Sequence, residues 1–223
     1  MPAHRVPPRL ISPSKFFKMR PAFVCEAVGP HKATLVFIHG LGDNGQGWSV
    51  ELGHFLSKTG VKIVCPNAPI SPVSANRGMK MPSWFDIVAF DEKVLLDESK
   101  DPAKKIVESS SQVKDVVREE CRHIDSKHVF VGGFSQGGCV ALHAGLSFEL
   151  PLGGIISCSG WAAGWSLVKV FLLSNAFLSG FLCLKRFTNP TRKLQSNFIT
   201  ASTMKLSRLR ALIFFAPIFN QLG

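Results

Sequence analysis

A short apolar strand running into Gly133-Phe134-Ser135-Gln136-Gly137 is the feature that most restricts what this chain can fold into. Lys127-His128-Val129-Phe130-Val131 reads as the strand, and Gly138 to Phe148, with apolar Val140, Ala141, Ala144 and Leu146, reads as a helix packed on a sheet. Only small neighbours leave room for so abrupt a strand-to-helix reversal, and the serine at its apex is held in strained backbone geometry. Such a turn lifts Ser135 Oγ above the C-terminal edge of a sheet, beside backbone N–H groups and the positive end of the next helix. A bare five-residue match arises often by chance. The strand before it and the helix after it separate a nucleophile elbow from an ordinary Gly-Ser turn.

A second strand-to-turn junction agrees with the first. Ala33-Thr34-Leu35-Val36-Phe37-Ile38 is another buried-strand run, and it ends at His39-Gly40-Leu41-Gly42-Asp43-Asn44-Gly45. A loop of this kind can aim backbone N–H groups at a developing oxyanion, and Gln136, the residue after the serine, supplies the usual second donor. The same loop contains Gly40-x-Gly42-x-x-Gly45 ahead of a helical stretch around Trp48 to Lys58, which is the spacing of a dinucleotide fingerprint. That fingerprint needs a carboxylate at the end of the next strand to hold the ribose. Val61-Lys62-Ile63-Val64-Cys65 is that strand and Pro66-Asn67 follows it, so the oxyanion-loop reading is preferred and no nucleotide cofactor is expected.

These two junctions belong to a longer set. His39-Gly40-Leu41-Gly42-Asp43-Asn44-Gly45 with Trp48, Cys65-Pro66-Asn67-Ala68-Pro69, Pro82-Ser83-Trp84-Phe85-Asp86, Asp97-Glu98-Ser99 and Gly132-Gly133-Phe134-Ser135-Gln136-Gly137-Gly138 stand in the order and type of one family. The chain resembles the acyl-protein thioesterase, lysophospholipase and carboxylesterase group of small α/β-hydrolases over about residues 19 to 161. The resemblance implies an α/β fold with a mostly parallel sheet flanked by helices. It implies Ser135 as nucleophile, oxyanion donors on the Leu41 and Gln136 amides, and Trp84 and Phe85 near the acyl-binding face. Thioesters or esters of acyl groups on palmitoylated protein, lysophospholipid or small esters are the substrates it implies, with no cofactor and no metal.

The departure from the family pattern is equally specific. The resemblance implies a His-Gly-x-x-Asp segment with the catalytic acid after the strand near Ser157, then a late loop with the catalytic histidine. Residues 162–223 contain neither, no histidine follows His143, and no carboxylate follows Glu149. From Trp165 the chain is a Ser, Phe, Leu and Lys/Arg mixture with eight Lys or Arg and no Asp or Glu, so most of the net charge of +11 lies there. This pattern is that of a replaced or truncated C-terminus, from an alternative or mistranslated message. His143 stands eight residues into the helix, about 12 Å along the axis from Ser135, and cannot reach Oγ. His128 opens the elbow strand at the opposite sheet edge, His54 and His123 sit in helical stretches, and only His39 lies on the right edge. A serine without its histidine loses about 10⁶ in kcat. The alternative reading is therefore a non-catalytic or defective form.

Alternating strands and helices from residue 33 to 158 point to one α/β unit: a basic extension over 1–18, a partial hydrolase domain over 19–161 and a divergent basic, apolar tail over 162–223. Pro102 to Cys121, with Ile106, Val107, Val113, Val116 and Val117, reads as an amphipathic crossover helix. Pro66 to Met81 reads as an irregular excursion over the sheet edge. Ending the sheet near Leu152 to Cys158 leaves that strand's outer edge unpaired unless the tail covers it, which predicts marginal stability. Six cysteines without metal-like spacing fit a reducing compartment, the cytoplasm, and no metal site. Arg5, Arg9, Lys15, Lys18 and Arg20, with no acid before Glu26, have the charge of an organelle transit peptide and equally of a disordered leader. Val170 to Leu184 is apolar but short for a membrane span, so peripheral membrane association is expected of it. The basic tail lacks a recognition motif, so no nucleic-acid partner is expected. Nothing in the sequence sets the oligomeric state.

Overall fold

Ala33–Ile38 (β3) is buried along its whole length, as a strand covered on both faces must be, and the sheet is wound around it. The computed structural model describes residues 9–11, 20–91, 103–161 and 181–184. Beside β3 lie Val61–Asn67 (β4) on one side and Val129–Phe134 (β7) on the other, both parallel to it. Arg9–Ile11 (β1) and Arg20–Cys25 (β2) extend the β4 side antiparallel, and Gly154–Cys158 (β8) and Phe181–Leu184 (β9) extend the β7 side parallel. The strand order is β1-β2-β4-β3-β7-β8-β9. The chain leaves β3 toward β4 and later returns past it to β7. The C-terminal ends of β3 and β7 therefore flank the point where the winding reverses, the place where open α/β sheets bind ligands.

Helices cover both faces. Leu35 and Phe37 of β3 face Gly45–Leu56 (α1), packing with Trp48, Leu52 and Leu56. The alternate residues Val36 and Ile38 share the opposite core with Ala103–Glu120 (α2) and Gln136–Leu146 (α3). On α2 the core face is Ile106, Val113 and Val117, while Val107 is exposed, contrary to expectation. The helical repeat puts 106, 113 and 117 on one stripe and turns 107 off it. Glu120 ends α2 buried beneath the sheet's other edge, where Lys62 Nζ pairs with it at 2.8 Å, as a buried carboxylate requires.

Three further expectations change. The elbow strand begins at Val129, because Asp125 accepts from the Lys127 N–H and folds Ser126–His128 into a 3-10 turn; Lys127 and His128 are outside the strand. The stretch expected to be irregular contains an antiparallel hairpin, Ile70–Val73 (β5) with Met79–Pro82 (β6). Pro72 and Pro82 are tolerated because a two-stranded hairpin is all edge. The outer edge of β8 is paired: Gly154 to Ser157 stand in register with Phe181 to Leu184, so the tail supplies the strand whose absence predicted marginal stability. Asp97-Glu98-Ser99, the basic extension over 1–8 and 12–18, and the apolar run before Phe181 lie outside the described residues. No helix of the described residues is long and apolar enough to cross a membrane.

Candidate active site

Ser135 stands between β7 and α3 with φ 53° and ψ −119°, a conformation that a residue with a Cβ seldom adopts. Two close approaches impose it. A Cβ on Gly133 would strike the backbone of Gly137, and one on Gly137 would strike the carbonyls of Ile38 and His39. The turn is therefore folded against itself and against the end of β3, and both flanking glycines are steric requirements. The Ser135 N–H donates to Cys158 O at 2.8 Å and Ser135 O accepts from Gly138 N–H at 2.9 Å, which pins the backbone on both sides. The side chain makes no capping bond to its helix and is partly exposed. Oγ is thus left for chemistry at a helix N-terminus whose first amides have no intrahelical acceptor.

The loop after β3 lies against this turn. A Cβ on Gly40 would come within 3.6 Å of Ser135 Cβ and 3.4 Å of Phe134 O, so the loop backbone is next to the serine. Gly42 N–H donates to Pro82 O at 2.8 Å and Asp43 N–H to Gly40 O at 3.3 Å. Among the described residues neither the Leu41 N–H nor the Gln136 N–H has a hydrogen-bond acceptor. These are the two amides that the family resemblance implies as oxyanion donors.

The Gln136 side chain has work that its position in the motif did not announce. It is fully buried; Oε1 accepts from Trp84 N–H at 3.0 Å, and Nε2 donates to Ser83 Oγ at 3.1 Å and Phe85 O at 2.6 Å. Trp84 and Phe85 are both buried in the core, and Trp84 Nε1–H donates to His39 O at 2.8 Å. Ser109 on α2 donates to Trp84 O from the other side. Phe85 meets the partly exposed Trp161 edge-on at 5.9 Å. The Ser83–Phe85 segment is therefore a strut that ties the turn at Ser135, the loop after β3 and α2 together. The sequence signal was available: a buried Gln or Trp must find partners for its polar atoms.

Imidazoles near the serine are the next question. His39 is wholly buried, with Nδ1 on Gly40 O at 2.7 Å and Nε2 accepting from Ala68 N–H at 3.0 Å, so its lone pair is not available to Ser135. His143 is buried two helical turns along α3. His128 lies in the turn that opens β7, and His31 bonds Thr34 Oγ1 at 2.8 Å at the start of β3, so both are at the far edge of the sheet. His54 is exposed on α1, and His123 follows α2 beside Glu119. Glu149, the last carboxylate in the sequence, is bound by Arg118 on the surface, and that hydrogen bond holds it below the usual carboxylate range. The described residues thus bring together a strained, uncapped serine and two amides without acceptors, and no imidazole placed to take the serine's proton.

The dinucleotide alternative meets a physical obstacle. Asn44 Oδ1 accepts from Gln46 and Gly47 N–H at 3.0 and 3.3 Å, and buried Asn67 Oδ1 accepts from Gly45 N–H at 2.9 Å. The amides at the start of α1 that would hold a pyrophosphate are already occupied. Among the described residues no group of three or more His, Cys, Asp or Glu could hold a metal ion.

Comparison with known proteins extends the geometry. Acyl-protein thioesterase 1 of Schizosaccharomyces pombe is 42% identical over 132 residues, 59% of this chain and 57% of that protein. The protein of the same name from Mycosarcoma maydis is 43% identical over 141 residues, 58% of this chain and 57% of its own length. This chain thus spans less than two thirds of these relatives. The crystal structure of Zea mays acyl-protein thioesterase 2 shares the fold with a TM-score of 0.63 at 21% identity, covering 89% of this chain and 98% of that one. Arabidopsis thaliana SOBER1 does so with a TM-score of 0.62 at 21% identity, covering 85% and 98%. Residues 19–175 match the phospholipase/carboxylesterase family, an α/β-hydrolase family, and with more than half of its length inside that match the chain belongs to it.

Proposed function

We propose that this protein is a serine hydrolase of the acyl-protein thioesterase and carboxylesterase type. Ser135 Oγ attacks the acyl carbonyl carbon of a thioester or ester, and the carbonyl oxygen becomes an oxyanion facing the Leu41 and Gln136 N–H groups. Collapse of the adduct expels the thiol or alcohol and leaves an acyl-serine, which water cleaves to return the free serine and a fatty acid. Palmitoylated protein, lysophospholipid and small acyl esters are the substrates, with Trp84 and Phe85 as the buried backing of the acyl site and Leu41 and Trp161 at its partly exposed front. The observation that carries this reading is the strained, uncapped Ser135 at a helix N-terminus, beside two amides without acceptors. The proton acceptor comes from outside the described residues or from a second chain. Cysteine spacing supports a cytoplasmic location, and the apolar run from Val170 supports peripheral association with membranes.

The second reading, an acyl-binding form without turnover, is favoured by the imidazole placements, since a serine hydroxyl needs a base to act as a nucleophile at neutral pH. Labelling the purified chain with a fluorophosphonate probe, read by intact mass against Ser135→Ala, separates the two. One adduct per chain, lost entirely in Ser135→Ala, is the expected result. A folded chain that never takes up the probe contradicts the hydrolase reading and leaves binding.

A further inference from the structure

We infer that His39 is the positioning residue of the oxyanion loop: its neutral ring fixes which way the Leu41 N–H points. The purpose of this role rests on the hydrolase reading, but its geometry does not. Ala68 N–H is a donor, so the Nε2 it reaches at 3.0 Å carries no proton; Nδ1, at 2.7 Å from Gly40 O, must then carry one and donate it. One neutral tautomer satisfies both contacts, and a buried ring with both nitrogens engaged is fixed in orientation. In a trans peptide the carbonyl and the following N–H point in opposite directions. Turning Gly40 O onto the His39 ring therefore turns the Leu41 N–H away from it.

The neighbours make that orientation matter. Gly42 and Asp43, the next two residues, donate their N–H groups to Pro82 O and Gly40 O, so among residues 41 to 43 it is the Leu41 amide that is left for a ligand. The same stretch of backbone lies against Ser135. His39 is also held at its own carbonyl by Trp84 Nε1–H, and Trp84 by the Gln136 side chain, so the ring is braced from the elbow itself. Without the Nδ1 donor, Gly40 O keeps only the longer contact from Asp43 N–H at 3.3 Å and loses the shorter one that holds the peptide plane against the ring, and the cost falls on a donor whose value lies in being preorganised.

Two substitutions divide the ring's contacts. His39→Asn puts an amide donor at the δ position and loses the acceptor for Ala68; His39→Gln keeps an acceptor at the ε position and loses the donor to Gly40. The rate of fluorophosphonate attack on Ser135 is expected to fall about 10²-fold or more in His39→Gln, the scale of losing one oxyanion donor. His39→Asn is expected to stay within about tenfold of the native chain, because the donor to Gly40 is retained. Equal losses in the two variants, or no loss in His39→Gln, would overturn the assignment. Nitrogen-15 NMR of the native chain tests it without relying on reactivity. A His39 ring protonated on Nδ1, with the Leu41 amide resonance displaced in His39→Gln and not in His39→Asn, supports it; an Nε2–H ring refutes it. If Ser135 never labels, the hydrolase reading fails alone and the NMR result decides the role of His39.

Discussion

Two junctions in this molecule are built from the same parts and finished in opposite ways. Each runs from a buried parallel strand through a glycine-rich turn into a helix: β3 to α1 and β7 to α3. At α1 the helix N-terminus is closed, with Asn44 as N-cap and Asn67 reaching across from β4, so the amides of residues 45 to 47 all have acceptors. At α3 the N-cap is Ser135, whose side chain bonds nothing in its helix and whose positive φ costs of the order of 1–3 kcal/mol. One junction spends its polar groups on stability. The other withholds them, and the orphaned amides with an exposed hydroxyl are what an acyl carbonyl requires.

The largest break in this comparison comes from the elbow's glycines. In Gly137→Ala the new methyl group meets the carbonyls of Ile38, the last residue of the central strand, and of buried His39 just after it, which cannot retreat, so a loss of about 3 kcal/mol or more is expected. Gly47→Ala is the matched control in the first turns of α1, where an added Cβ has open space. Urea unfolding midpoints compare them. Similar midpoints for the two variants would show that the elbow is not folded as tightly as its geometry states.

What could be read from the sequence follows from what is local. The strand at Ala33–Ile38, the strand from Val61 through Cys65, the helix after Ser135 and the strain at Ser135 are set by runs of apolar residues and by glycine spacing, and all were legible; the strand's continuation through Pro66 and Asn67 was not. The pairing of Phe181–Leu184 with β8 was not, because no periodicity in a Ser, Phe and Leu mixture specifies a partner twenty-odd residues back. The β5–β6 hairpin was hidden by prolines that argue against a strand in every setting except an edge. At the candidate site, the strained turn at Ser135 was legible as a motif, since strand, flanking glycines and helix set it locally, while the Leu41 amide was named only through the family resemblance. The Gln136 and His39 side chains were not, because their roles depend on Trp84 and Ala68, which reach them only through the tertiary fold.

The closed junction is also the dry one, and pH should reveal this. Cys65 on β4 is wholly buried where the start of α1 crosses it, and loss of hydration pushes its thiol far above the ordinary value of 9.0; Cys25 is raised in the same way. Above pH 9 the unfolded chain releases these protons while the native state keeps them. The unfolded state is then favoured, and stability is retained below that pH and lost above it. The slope contributed by Cys65 is about 1.4 kcal/mol per pH unit at its steepest. Urea midpoints measured from pH 8 to 10.5 should fall more steeply for the native chain than for Cys65→Ala. Parallel curves would mean that water reaches the thiol.

The smallest expected effect is the most discriminating, because it makes the same substitution at the same helix position in the two junctions. Asn44→Ala removes an N-cap that accepts from two amides and should lower stability by about 1 kcal/mol. Ser135→Ala removes an N-cap side chain that accepts from none, so its midpoint should move by less than about 0.5 kcal/mol while all fluorophosphonate labelling disappears. A serine that stabilised its helix would show in Ser135→Ala a loss like that of Asn44→Ala. That result would make the elbow a second closed junction, and the amides assigned to the oxyanion would have to be assigned to Ser135 itself.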